Sequence, residues 1–270
     1  MNLLFRLFTL IVFLQPTMAM ALELTGNFTQ GGLILGQTEI GSRIDLDGTP
    51  VKVGDDGRFL LGFGRDAKPQ SELVVIGPNG LRGVRALKIE PRTYKVQRID
   101  GLAKRKVTPD PEDTARIIAD NKGIKRVRDT LSIRSDFLSG FIWPVRGPIS
   151  GVFGSLRVLN GIPKNPHNGV DVAAPQGTVI VAPADGIVAL AQNDMFYTGK
   201  TLMIDHGLGL TSVYAHMSAI LVKEGDRVTQ GTPIGKIGKT GRVTGPHLHW
   251  GVTLKRTHLD PMLLTGPMIP

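Results

Sequence analysis

The chain has 270 residues, no cysteine and a formal charge of +9. Without cysteine there is no disulfide framework, no thiolate metal site and no thiol to carry a lipid anchor. The positive charge is spread along the chain rather than gathered into a basic arm with interleaved aromatics, so nucleic acid is not an expected partner.

In chain order, the first predicted element is a signal peptide over residues 1–21. Arg6 supplies a positive n-region, Leu7 to Leu14 an apolar stretch and Pro16 a break, and Ala19-Met20-Ala21 reads as a small-x-small cleavage site. The apolar run is too short for a membrane span, which needs about 20 residues. The expectation is an exported protein, periplasmic first and otherwise elsewhere in the envelope or secreted, with no transmembrane segment after cleavage. Its mild basicity suits polyanionic envelope polymers or anionic lipid surfaces.

Residues 22–107 read as an N-terminal β domain. Gly31-Gly32, Asp47-Gly48, Asp56-Gly57 and Asn79-Gly80 separate apolar stretches such as Leu33-Ile34-Leu35 and Leu73-Val74-Val75-Ile76. Asp-Gly and Asn-Gly between such stretches are strong hairpin signals, so a small antiparallel sandwich is predicted. Residues 108–140 follow as a helical connector. Thr108-Pro109-Asp110-Pro111-Glu112-Asp113 is a helix start with acidic residues where the dipole favours them. Ile117, Ile118, Ile124, Val127 and Leu131 recur at helical spacing, and Lys122, Lys125, Arg126 and Arg128 are expected to form a solvated face.

Residues 141–270 form the second predicted domain, an antiparallel β-sheet. Strands are expected over 179–182, 186–191, 201–204, 211–216, 233–237 and 247–254, which makes the whole chain mainly β. The chemistry gathers here. On a strand, His247 and His249 point to one face while Leu248 and Trp250 point into the core. With His167-Asn168-Gly169-Val170-Asp171 upstream, the chain offers imidazoles and one carboxylate in two short clusters. Two imidazoles and one carboxylate suffice for a catalytic zinc, which keeps a fourth position open for water. The helical His-Glu-x-x-His signature is absent, so the site is expected on a sheet. His206 is expected to shape a hairpin, and His258 to be structural or solvated.

Four motifs now carry a resemblance. Phe153-Gly154 with residues 167–178, Tyr214-Ala215-His216-Met217, Gly225-Asp226-Arg227-Val228, and Thr244-Gly245-Pro246-His247-Leu248-His249-Trp250 occur in the order found in lysostaphin/LytM-type zinc metallopeptidase domains. The resemblance covers about residues 141–261. It implies a single Zn2+ held by His167, Asp171 and His249, with His216 and His247 as the unliganded catalytic pair. It also implies a zinc metallo-endopeptidase acting on peptide cross-links of peptidoglycan, either between D-alanine and diaminopimelate or in oligoglycine bridges. The alternative is a non-catalytic regulator that activates cell-wall amidases, as in relatives lacking zinc ligands. A lipoyl-type carrier, suggested by Gly225 to Gly231, lacks the methionine-flanked lysine that such carriers modify.

Overall fold

Glycines in the left-handed region turn the first hairpins. In the computed structural model, which describes residues 22–268, Gly48 joins strands Arg43–Leu46 and Thr49–Val51, and Gly80 joins Gln70–Ile76 and Arg82–Lys88. These four strands form one antiparallel sheet, and Leu22–Gly26, Leu33–Thr38 and Arg58–Gly62 form a second of three strands. Alternation decides which side chains meet between the sheets. Ile34, Phe59 and Leu61 from one and Ile44, Leu73 and Val75 from the other make a common core. The expected signal peptide lies outside the described residues.

The connector contains a helix, Thr114–Asp129, preceded by a 3₁₀ turn at Pro111–Asp113. Its apolar stripe is narrower than the sequence spacing predicts. Ile124 and Val127 pack against Leu190, Met195, Met203 and Val213, whereas Ile118 and Leu131 are exposed. The N-terminal acid also works differently. Asp113 makes no side-chain cap; instead, its two carboxylate oxygens take hydrogen bonds from Arg105 at 2.7 and 2.8 Å. The basic face divides as well: Lys125 pairs with Asp129, and Arg128 turns inward, its Nε enclosed.

One sheet has no signal in the sequence. Val96–Ile99 runs parallel to Leu156–Leu159, which pairs with Ile162–Lys164. The residues before the connector are therefore hydrogen-bonded to the second half of the chain.

The second half is dominated by a ten-stranded sheet. Its main path runs through Gly186–Met195, Gly199–Gly207, Leu210–Ile220, His247–Leu254 and Val170–Ala173. Leu248, Trp250 and Val252 are fully buried on one face of their strand, against Val170 and Val172. His206 is also fully buried, beside the hairpin at Gly207-Leu208-Gly209. Its Nδ1–H donates to the Asp185 carbonyl at 2.6 Å, and its Nε2 lies 2.7 Å from Ser212 Oγ. Ser212 Oγ in turn lies 2.7 Å from the Tyr214 hydroxyl. His206 thus does more than accompany a turn: it anchors a polar chain through the core. No helix among the described residues is long and apolar enough to cross a membrane.

Candidate metal centre

Strand register brings the two histidine clusters together. Val170–Ala173 and His247–Leu254 are antiparallel neighbours, with Asp171 opposite His249 and Ala173 opposite His247. Residues directly opposite on such strands project to the same face, with Cβ atoms about 5 Å apart. The next strand places Ala215 opposite His249. Its pairing to Gly199–Gly207 then shifts, from Leu202↔Tyr214 to Lys200↔Met217, so Thr201 alone faces both Ala215 and His216. This is a β-bulge, and bulges re-aim side chains beside functional sites. His216 has φ of 66°, an uncommon conformation for a residue with a Cβ. The bulge directs His216 toward His247, their ring centroids 4.9 Å apart.

Three donor atoms converge. His167 Nε2 is 3.0 Å from Asp171 Oδ1 and 2.9 Å from His249 Nδ1, and the latter two atoms are 2.8 Å apart. These three residues form the metal-competent group among the described residues. A tetrahedral zinc with bonds near 2.0–2.1 Å holds its ligands about 3.3 Å apart, so the triangle needs to open by only a few tenths of an ångström. The ring tautomer fits a cation. His167 Nδ1–H donates to the Val152 carbonyl at 3.1 Å, which leaves the Nε2 lone pair facing the Asp171 carboxylate. A lone pair and a carboxylate oxygen held this close form an acceptor pair that favours a positive ion between them.

The second pair is tethered in the same way. His216 Nδ1–H donates to the Thr240 carbonyl at 2.8 Å, and His247 Nδ1–H to the Gly245 carbonyl at 2.9 Å. Each ring therefore keeps Nε2 free, and His247 Nε2 lies 3.9 Å from Asp171 Oδ1. Thr240 is itself held, donating from Oγ1 to the Met217 carbonyl and accepting from the Lys200 amide. His216 and His247 thus border the donor triangle without belonging to it.

Burial sets the charges. It pushes His167 down to about 4 and His216 to about 3, so both rings are neutral at neutral pH. Two features escaped the sequence reading. Arg157 donates to Asp171 Oδ2 at 2.5 Å, and it lies in no motif. Gly151 makes room for that pair, since a Cβ there would stand 2.5 Å from Asp171 Oδ2. His258, expected after the last strand, lies in Thr257–Leu259, paired to the His247 strand, and lines the cleft over the site.

Residues 165–261 match the model of peptidase family M23. The chain is 43% identical over 103 residues to the peptidoglycan DD-endopeptidase ShyA of Vibrio cholerae, covering 38% of this chain and 24% of that protein. It is 42% identical over 101 residues to the DD-carboxypeptidase/endopeptidase Mpg of Neisseria meningitidis, covering 37% and 23% respectively. The match thus spans about a quarter of the length of these curated relatives. A solved structure from Pseudomonas aeruginosa, assigned to peptidase M23, superposes with a TM-score of 0.68 at 30% identity. That match covers 89% of this chain and 96% of the other, so the likeness extends into the N-terminal half.

Proposed function

The chain belongs to peptidase family M23, and from that premise we propose that it is a zinc-dependent endopeptidase acting outside the cytoplasm, in the periplasm, on peptide cross-links of bacterial peptidoglycan. One observation carries the reading: the donor atoms of His167, Asp171 and His249 lie within 3.0 Å of one another beside two carbonyl-tethered histidines. The curated relatives named for peptidoglycan endopeptidase activity support the substrate class. The regulator alternative gains nothing from the site, because every ligand position is filled.

A zinc ion held there supplies Lewis-acid polarisation of a carbonyl and a water acidified to a pKa of about 7. The protein's own residues do the rest. Asp171, oriented by Arg157, and His167, oriented by the Val152 carbonyl, keep their donor atoms unprotonated and aimed at one point. His216 and His247 each present a free Nε2 to the neighbouring space, where one ring takes a proton from the attacking water. The other, protonated at Nε2, donates to the developing oxyanion or the leaving amine. The bulge at His216 and the Gly245 carbonyl under His247 fix these rings before substrate arrives, so little reorganisation is left for the reaction itself.

Digestion of purified sacculi by the zinc-loaded protein, with released fragments identified by mass spectrometry, tests the proposal. New amino and carboxyl ends within the cross-bridge are the expected products. Release of sugars alone, or of nothing, overturns it.

A further inference from the structure

The cleft over the metal centre has a volume near 1080 Å³ and is lined by six basic side chains and no acidic one. Their pairing is unequal. Arg157 is taken by Asp171, while Lys125 and Arg256 both pair with Asp129. Arg128 and Arg242 have no carboxylate partner among the described residues, and Arg128 Nε is enclosed without any hydrogen-bond acceptor. Burial pushes the guanidinium of each below its ordinary value. A buried, unpaired charge is costly and is ordinarily matched by a counter-ion. Arg128 comes from the connector helix and Arg242 from the segment before the His247 strand, whose guanidinium stacks 4.6 Å over the Tyr197 ring. The two therefore come from separate elements of one cleft, which His167, His216 and His249 also line.

Resting on the peptidase reading above, we propose that Arg128 and Arg242 are specificity residues that bind carboxylates of an acidic peptide, so that the enzyme selects cross-links bearing free carboxylates near the scissile bond. Guanidinium forks match carboxylates bidentately, and such charge-assisted bonds are about twice as strong as neutral ones. A cleft walled by one sign of charge also concentrates oppositely charged substrate. The connector helix then contributes to recognition as well as spacing.

The test uses the zinc-loaded full-length protein and a purified cross-linked tetrapeptide dimer, in its free-carboxylate form and with those carboxylates amidated. Binding is read by titration calorimetry and turnover by kcat/KM. The wild type is expected to favour the carboxylate form about tenfold to a hundredfold, the range that charged hydrogen bonds supply. Arg128→Gln and Arg242→Gln should each remove most of that preference through KM, with zinc content unchanged, and Arg128→Lys should restore part of it. Equal losses on both forms would mark the arginines as merely structural and overturn the proposal. Weaker binding of a polyphosphate wall polymer with unchanged peptide binding would also overturn it. If the wild type cleaves neither peptide, the endopeptidase reading fails, and the titrations still decide the arginine pair by whether it distinguishes the two forms.

Discussion

Asp171 and His249 stand 78 residues apart in the chain and directly opposite one another in the sheet, with Oδ1 and Nδ1 2.8 Å apart. The pairing joins the upstream and downstream clusters into one donor set. A slip of one residue would turn His249 into the core now filled by Leu248 and Trp250, so the buried face of the strand holds the register. The hydrophobic pattern and the proposed ligand set are thereby coupled.

One zinc per chain is expected from that donor set. Elemental analysis of the purified protein should find stoichiometric metal, and His249→Ala should retain little. Full retention by the variant, with its fold intact by circular dichroism, would remove His249 from the ligands.

His216→Ala and His247→Ala should keep zinc and fold but lose activity by about 10²–10⁴-fold, the usual contribution of a positioned acid or base. The wild-type rate should be bell-shaped in pH, since one ring must be neutral and the other protonated. A variant with wild-type turnover excludes its residue from the proton transfers.

Arg157 is expected to matter through Asp171. Its hydrogen bond to Oδ2 leaves Oδ1 for the proposed metal, and losing such an outer partner typically weakens metal affinity about 10–100-fold. Competition against a chelator should show this for Arg157→Ala. An unchanged zinc affinity would make the ion pair dispensable.

Acid stability should depend on His206. Burial lowers its folded pKa below the ordinary value of 6.5, so the neutral ring is the native form. The unfolded chain then binds the extra proton, and stability from this residue is complete above about pH 6.5 and is lost as pH falls below it. Urea midpoints measured from pH 7.5 to 5 should therefore decline less steeply for His206→Gln than for the wild type. Parallel declines would show that His206 does not carry the effect.

A chain truncated to begin near Phe141 retains all five proposed site residues and should bind zinc. It should melt at a lower temperature than the full chain, because it loses Ile124 and Val127 from their contact with Leu190, Met203 and Val213. In the full chain, Val127→Ala should cost about 2 kcal/mol, as for other large-to-small changes in a core. Equal stability of truncated and full-length proteins would mean that the connector only spaces the two halves.

Much of this protein is local in origin and could be read from residues alone. The Asp-Gly and Asn-Gly hairpins follow from the left-handed freedom of Gly48 and Gly80, and the His247-x-His249 face follows from the two-residue period of a strand. Adding His167, Asp171 and His216 to that pair as proposed site residues rested on the resemblance of their motifs to those of a metallopeptidase family. What tertiary structure decided depends on pairing between distant segments. The parallel bridge from Val96–Ile99 to Leu156–Leu159 has no local signature, because its hydrogen bonds come from a partner about 60 residues away. Arg157 became the orienter of Asp171 through strand placement, whereas nothing in its neighbours distinguishes it from other arginines. Arg128 shows the same limit from the other side. Helical spacing put it on a solvated face, yet packing of Val127 against the sheet turns Arg128 from that face into the cleft, where its Nε is enclosed and has no carboxylate partner among the described residues. Periodicity specifies which residues share a face; only packing against the rest of the chain specifies what that face meets.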